Sequence, residues 1–278
     1  MTSKPAYGVF LVLAMLCAAC HREKQPEPSQ SQSQAFDTQV AMRAMFGNFD
    51  PVIKSSLAYV PEGASPNSNF EPNDPIRVRP FFVQEINENG VRKVYVLTWA
   101  KPAGQPFDCK GCAPLISAAV FVQGPDGWKP ESIGRTVLAF GDFGKPPEGR
   151  LVEIGPQTHA FLLRVTSVQE RTTVGEALLI PWKGTIQEVM RTVVADSNQG
   201  NCGGAYPCYS NQREFKFVPG ADPQHDDIVL TLTGTDMQSN PPYKVRQVSG
   251  TEHLRFQDGK YVHVERQGDS ISAEAENK

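Results

Sequence analysis

No stretch of this chain is long and apolar enough to cross a bilayer as a helix. Its one sustained apolar run, Ala6 to Leu16, falls well short of the roughly 20 residues such a span needs. Nor is there a surplus of charge: 27 Lys and Arg are mixed with 30 Asp and Glu along 278 residues, so there is no basic footprint for nucleic acid. Alternation of strands with helices, the signature of a parallel-sheet enzyme, is missing. A serine-nucleophile elbow, a phosphate-cradling glycine loop and the paired histidines of a metalloprotease are missing too. These absences weaken the case for an enzyme without closing it, because catalytic groups can meet from distant strands.

What is present is turn chemistry. With 23 Gly and 23 Pro, the composition favours many short elements joined by turns. One short helix is expected from Asp37 to Gly47, where Asp37 caps the start, apolar residues recur at Val40, Met42, Ala44, Met45 and Phe46, and Gly47 suits the stop. Residues Pro61 to Pro75 read as a loop. From Ile76 onward the pattern is β: Phe81 to Ile86 and Val91 to Trp99 flank Asn89-Gly90, and Ala118 to Val122 turns through Gly124-Pro125-Asp126-Gly127 to Trp128. Further strands are expected at Arg150 to Ile154, Ala160 to Val168, Ala177 to Trp182 and Thr185 to Val194. The last group comprises Glu214 to Val218, Asp227 to Thr233, Tyr243 to Val248, His253 to Gln257 and Lys260 to Glu265, the final pair turning at Asp258-Gly259. Mainly β, antiparallel meanders are therefore predicted, forming a sandwich, a curved sheet or an incomplete propeller-like array, with one short N-terminal helix. Residues 36 to 266 make a single β-rich domain in this reading, followed by a polar tail over 267 to 278.

The N-terminus has one early charge, Lys4, then the apolar run, then Cys17-Ala18-Ala19-Cys20. This pattern resembles the signal of bacterial lipoproteins, with small residues before a cysteine that would be lipidated at Cys20 once residues 1 to 19 are removed. The position three before that cysteine holds Cys17, where the family favours a Leu-like residue. The competing reading is an ordinary secretory signal that leaves Cys20 a free thiol. The resemblance implies an anchor in a membrane, and His21, standing where aspartate commonly retains such proteins in the inner membrane, implies the periplasmic face of the outer membrane. From His21 to Gln34 the sequence HREKQPEPSQSQSQ has nothing large and apolar to bury, so residues 20 to 35 read as a linker.

In an oxidising periplasm the four remaining cysteines, Cys109, Cys112, Cys202 and Cys208, read as disulfides, most simply as the local pairs Cys109 to Cys112 and Cys202 to Cys208. A redox dithiol at Cys109-Lys110-Gly111-Cys112 is the sharper alternative, but it calls for a helix after the first cysteine and the sequence offers Pro114 and a strand. Covalent haem is excluded by Ala113, which stands where that motif needs histidine. A zinc site of four thiolates is allowed only by count.

A two-residue turn at Asp258-Gly259 sets Leu254 opposite His263 and His253 opposite Val264, so the two histidines project from opposite faces and cannot share an ion. His263 is then expected to be partly buried beside Leu254, Phe256 and Tyr261. Asp222 to Asp227 and Asp196 to Asn201 gather oxygens in loops that could hold calcium, although solvated caps are the simpler expectation. Trp99, Trp128 and Trp182 stand at strand ends, and Phe143, between glycines and before Pro146-Pro147, could be displayed to a partner. No cofactor, metal or catalytic residue is assigned. The sequence thus predicts a membrane-anchored lipoprotein that binds an envelope component or small ligand. Its alternatives are an inhibitor of a secreted or periplasmic hydrolase, acting through the Cys202 to Cys208 loop, and a thiol-disulfide oxidoreductase using Cys109 and Cys112.

Overall fold

A computed structural model describes residues 35–64, 69–204, 206–238 and 241–268. The lipidation expected at Cys20, the expected signal segment and nearly all of the expected linker and tail lie outside these residues. The helix α1, Thr38–Phe46, forms as its sequence requires: the Asp37 carboxylate accepts the Gln39 N–H at 2.9 Å, and Gly47, at φ 77°, donates its N–H to the Arg43 carbonyl at 2.8 Å. Ala41, Met42 and Met45 form its buried stripe.

All strands pair antiparallel, each with its neighbour in sequence. A five-stranded sheet contains β1 (Ser56–Tyr59), β2 (Pro75–Glu88), β3 (Val91–Pro102), β4 (Leu115–Gly124) and β5 (Gly127–Ala139). An eight-stranded sheet contains β6 (Glu148–Gly155), β7 (Thr158–Val168), β8 (Thr172–Trp182), β9 (Thr185–Ser197), β10 (Ser210–Val218), β11 (Asp227–Met237), β12 (Val245–Gln257) and β13 (Lys260–Gly268). Three hairpin turns, Asn89-Gly90, Lys183-Gly184 and Asp258-Gly259, place both central residues at positive φ, the geometry that matches strand twist. The structure differs from the sequence reading at several places. It adds β1 and a turn at Pro156-Gln157, it joins the strands expected at Tyr243–Val248 and His253–Gln257 into the single strand β12 from Val245, and it carries β13 two residues past Arg266. The meanders form two continuous sheets, so the propeller-like option is replaced by a sandwich with a curl.

Burial on both faces of four strands explains the layering. On β3 and β4, Tyr95, Leu97, Ile116, Ala118 and Val120 face the second sheet, while Val94, Val96, Ala119 and Phe121 pack under Ala41 and Met45 of α1. On β7 and β8, Phe161, Leu163, Ala177 and Leu179 complete the inter-sheet core, and Leu162, Leu178 and Ile180 face the other way, meeting Ile228, Leu230, Leu254 and Phe256 of β11 and β12. The eight-stranded sheet therefore curls over its own far strands and encloses a second core. One end of that curl is stoppered by the loop before β11: His225 stacks on Phe256 with ring centroids 3.9 Å apart, and the Asp226 N–H bonds the Ile154 carbonyl at 2.6 Å.

The two sheets are also pinned by a buried charge. The Glu88 carboxylate, at the end of β2, accepts from the Tyr95 hydroxyl at 3.1 Å, lies 2.9 Å from His159 Nδ1 on β7 and pairs with Lys93 Nζ at 2.6 Å. Burial pulls the Glu88 carboxyl upward, but Lys93, His159 and Tyr95 together hold it below the ordinary carboxylate range. A depressed pKa stabilises the fold above the unfolded value near 4.5, and that stability is lost as pH falls through the folded value. Glu88→Gln is expected to lower stability by about 2 kcal/mol at neutral pH, since Lys93 loses its nearest counter-charge, and to flatten the acid limb of a denaturation series run downward from pH about 6. An unchanged acid limb would rule this pin out.

Candidate functional site

The cysteines lie at disulfide distance in the two local pairs. Cys109 and Cys112 have Cα atoms 5.1 Å apart, and Cys202 and Cys208 have theirs 5.0 Å apart. Separated by some ninety residues of chain, the two loops are brought to the same end of the eight-stranded sheet, opposite the stoppered end of the curl. Hydrogen bonds join them in sequence. The Cys109 to Cys112 turn donates the Gly111 N–H to Asp142 Oδ1 at 3.0 Å, and the Cys112 carbonyl accepts the Gly144 N–H at 2.8 Å. Asp142 Oδ2 in turn accepts the Ser167 hydroxyl at 2.7 Å, and Gln169 bonds Ser167 Oγ at 3.1 Å. From the same β7–β8 turn, the Glu170 carbonyl accepts from Asn201 Nδ2 at 3.4 Å, next to Cys202.

The Asp196 to Asn201 segment spends its oxygens bracing the second loop. Asn198 Oδ1 accepts the Tyr209 N–H at 2.8 Å while its Nδ2 donates to the Pro207 carbonyl at 2.9 Å, and Asp196 faces Arg171 and the Tyr209 hydroxyl. Within the loop, Gly203 and Tyr206 exchange backbone hydrogen bonds, and Tyr206, 51% exposed, lies against Tyr243 with centroids 5.2 Å apart. Asp222 to Asp227 is likewise a cap: Asp222 Oδ1 accepts the N–H groups of Gln224 and His225, and Asp227 accepts the Phe256 N–H at 3.2 Å beside His253 Nε2 at 3.0 Å. Although its partial burial acts to raise it, those donors and His225 hold the Asp222 carboxyl below its usual range. Among the described residues no three His, Cys, Asp or Glu side chains converge as metal ligands would.

The expectation for His263 is corrected. Leu254 does pair with His263, but the ladder shifts after Leu254, so that His253 pairs with Glu265 and Val264 is the extra residue. His263 stands at the rim, 52% exposed, with Nδ1 3.4 Å from the buried Glu252 carboxylate. The tryptophans pack against the structure: Trp182 edges His225 and Phe256, Trp128 meets Phe36, and Trp99 borders the inter-sheet core.

Phe143 is 43% exposed on its loop and held at φ 49°, a conformation bulky residues rarely adopt. Its loop borders a cleft of about 310 Å³, walled by Phe143, Pro146 and Pro147 and by Lys145, Arg164 and Thr166. Beneath Arg164, Glu176 is buried, and desolvation raises its carboxyl above the usual range despite Arg164 and Arg150. An apolar platform beside charges of both signs, Lys145 and Arg164 with Asp142 and Glu148, is recognition chemistry, suited to a ligand with a flat apolar part and polar groups. The Cys109 to Cys112 pair sits in a turn with Cys109 exposed and Cys112 buried, and a strand follows it, so no helix dipole is available to acidify a thiol. The clasp through Asp142 and Ser167 was missed in the sequence; only the glycines around Phe143 signalled it. No protein-family model, curated protein or solved structure matches the chain.

Proposed function

We propose that this chain is a lipid-anchored lipoprotein of the bacterial envelope, on the periplasmic face of the outer membrane, that binds a second envelope component or a small ligand at its disulfide-laced end without transforming it. The observation that carries this reading is the convergence of both disulfide loops, bonded through Asp142 and Ser167, on an end that exposes Phe143 and Tyr206. Rigid aromatic display on braced loops lowers the ordering cost of binding. The anchor is supported by the resemblance of the N-terminal segment to lipoprotein signals.

A photocrosslinker placed at Phe143 or Tyr206 is expected to capture the same partner in cells, and one at Lys216 on the outer face of β10 to capture nothing specific. Phe143→Ala and Tyr206→Ala should each weaken that partner's binding about tenfold while leaving the melting temperature within a few degrees. Capture from Lys216 alone would remove the site. The second reading, inhibition of a secreted or periplasmic hydrolase, draws on one feature: the Cys202 to Cys208 loop is short, internally bonded and tipped by Tyr206. Stoichiometric inhibition abolished by Tyr206→Ala would select it.

A further inference from the structure

Five of the large apolar side chains exposed to solvent fall within twenty residues of one another: Val40, Val52, Ile53, Leu57 and Tyr59. Val52 is 87% exposed at the tip of a tight turn that the Asp50 carboxylate fixes by accepting the Val52 and Ile53 N–H groups at 2.8 and 3.3 Å. Immediately after the turn, β1 shows Leu57 and Tyr59, 46% and 63% exposed, on the face of the first sheet turned away from α1, while Ala58 on the other face packs with Met42. Register places cations on that same face. Leu57 pairs with Arg77, Arg77 with Lys101, and Arg79 with Trp99. Directly opposed residues point the same way, so three cations, Trp99, Leu57 and Tyr59 share one surface. Arg77 reaches the base of the Val52 turn, bonding Ser55 Oγ at 3.2 Å. The ion pairs among the described residues involve neither these three cations nor Lys54 beside the tip.

Further along β3 the same face carries Tyr95 and Leu97 into the inter-sheet core, but at β1 and the adjoining ends of β2 and β3 it leaves Leu57, Tyr59 and Arg79 exposed. We infer that this uncovered end of the face, with the Val52-Ile53 tip, rests on an anionic lipid surface. The chemistry is that of interfacial binding: protruding aliphatic groups enter the headgroup boundary, an aromatic pair lies at its level, and cations that make no ion pair among the described residues meet lipid phosphates. The inference rests on the lipid-anchored reading for its geometry. Phe36 follows Cys20 by sixteen residue steps, which even fully extended reach at most about 58 Å. An anchored domain is therefore confined within one domain's length of the bilayer, where a weak surface contact is populated through high effective concentration.

The test uses the full lipidated chain in vesicles of phosphatidylcholine, with and without phosphatidylglycerol, carrying a fluorophore on Val52→Cys or, as reference, Lys216→Cys. Nitroxide lipids are expected to quench the probe at position 52 and not at 216, and only with phosphatidylglycerol present. Arg77→Gln, Arg79→Gln and Lys101→Gln should each weaken the contact about fivefold, near a hundredfold together. Protein that floats with the vesicles but shows no quenching at position 52, or equal quenching without anionic lipid, overturns the face and leaves the anchor standing. Protein that fails to float overturns the anchor; the same probe on unanchored chain mixed with vesicles then decides the face alone. Shielding of position 52 that grows with protein concentration in the absence of vesicles would assign the face to a second copy and overturn the lipid surface.

Discussion

Phe161→Ala is expected to cost about 4 kcal/mol and to lower the melting temperature by roughly 10 °C, the largest loss from any single truncation in the inter-sheet core. Phe161 is fully buried on β7, the strand that belongs to both cores. Its ring lies 5.3 Å from Tyr95 and 6.4 Å from Phe82, both at steep interplanar angles, so it is gripped by aromatic edges from the first sheet. A cavity here has little means of closing. Tyr95 is held through its hydroxyl by Glu88, and on the opposite face of the same strand Ala160 and Leu162 are packed against the curl, which prevents β7 from sinking toward the first sheet. The cost depends on how far a site can collapse, and this one is clamped from both sides. Urea or thermal denaturation checks the value. A loss below about 1.5 kcal/mol would mean that the layers slide, and that the two cores are less tightly coupled than shared burial of β7 implies.

Local chemistry made the strands and the helix legible, and tertiary chemistry hid the site. Asn89-Gly90 and Asp258-Gly259 announce their turns because both positions need positive φ, and Asp37 with Gly47 marks α1 at both ends. β1 was not legible: four residues, two of them exposed and apolar, carry too little alternation to separate from the loop before it. β12 reads as two strands in sequence, because Ser249 to Glu252 carries no apolar alternation, whereas Gly250 pairs with Leu232 inside the β11–β12 ladder and with Gly268 at the last rung of β12–β13. The expected pairing of His263 with Leu254 held, and what failed was its burial: it stands on the last strand of the sheet, 52% exposed beside Glu252, while the inserted residue Val264 exchanges faces only from Glu265 onward. For the site, the sequence supplied the cysteine pairs and the glycines around Phe143. Their meeting at one end depends on Asp142 choosing Ser167 and Gly111 as partners, a choice made by the stacking of the two sheets and visible in no local pattern.

Gly144→Ala is expected to open that end. Gly144 sits at φ 64°, so any side chain there is strained, and an added methyl would coincide with the Phe107 carbonyl oxygen. The carbonyl cannot retreat easily, because Phe107 is buried against Phe70 with ring centroids 5.1 Å apart, in the same cluster as Cys112 and Leu115. The loop must therefore give way instead, breaking the Gly144 N–H bond to the Cys112 carbonyl and pulling Asp142 from Gly111 and Ser167. Strain, overlap and three lost hydrogen bonds together point to about 3 kcal/mol. The Phe161 change acts on the whole sandwich, whereas this one acts first on the cleft. Amide exchange should accelerate at Gly111, Phe143 and Gly144 well before it does so at Leu163 or Leu179, and partner capture from Phe143 should fall while capture from Tyr206 persists in part. Ser167→Ala, which removes the bonds to Asp142 and from Gln169 without steric conflict, should shift the same amides by about 1 kcal/mol. If Gly144→Ala leaves the exchange of Gly111 and Phe143 unchanged, the two disulfide loops are not a single unit, and the binding end must be sought at the Cys202 to Cys208 loop alone.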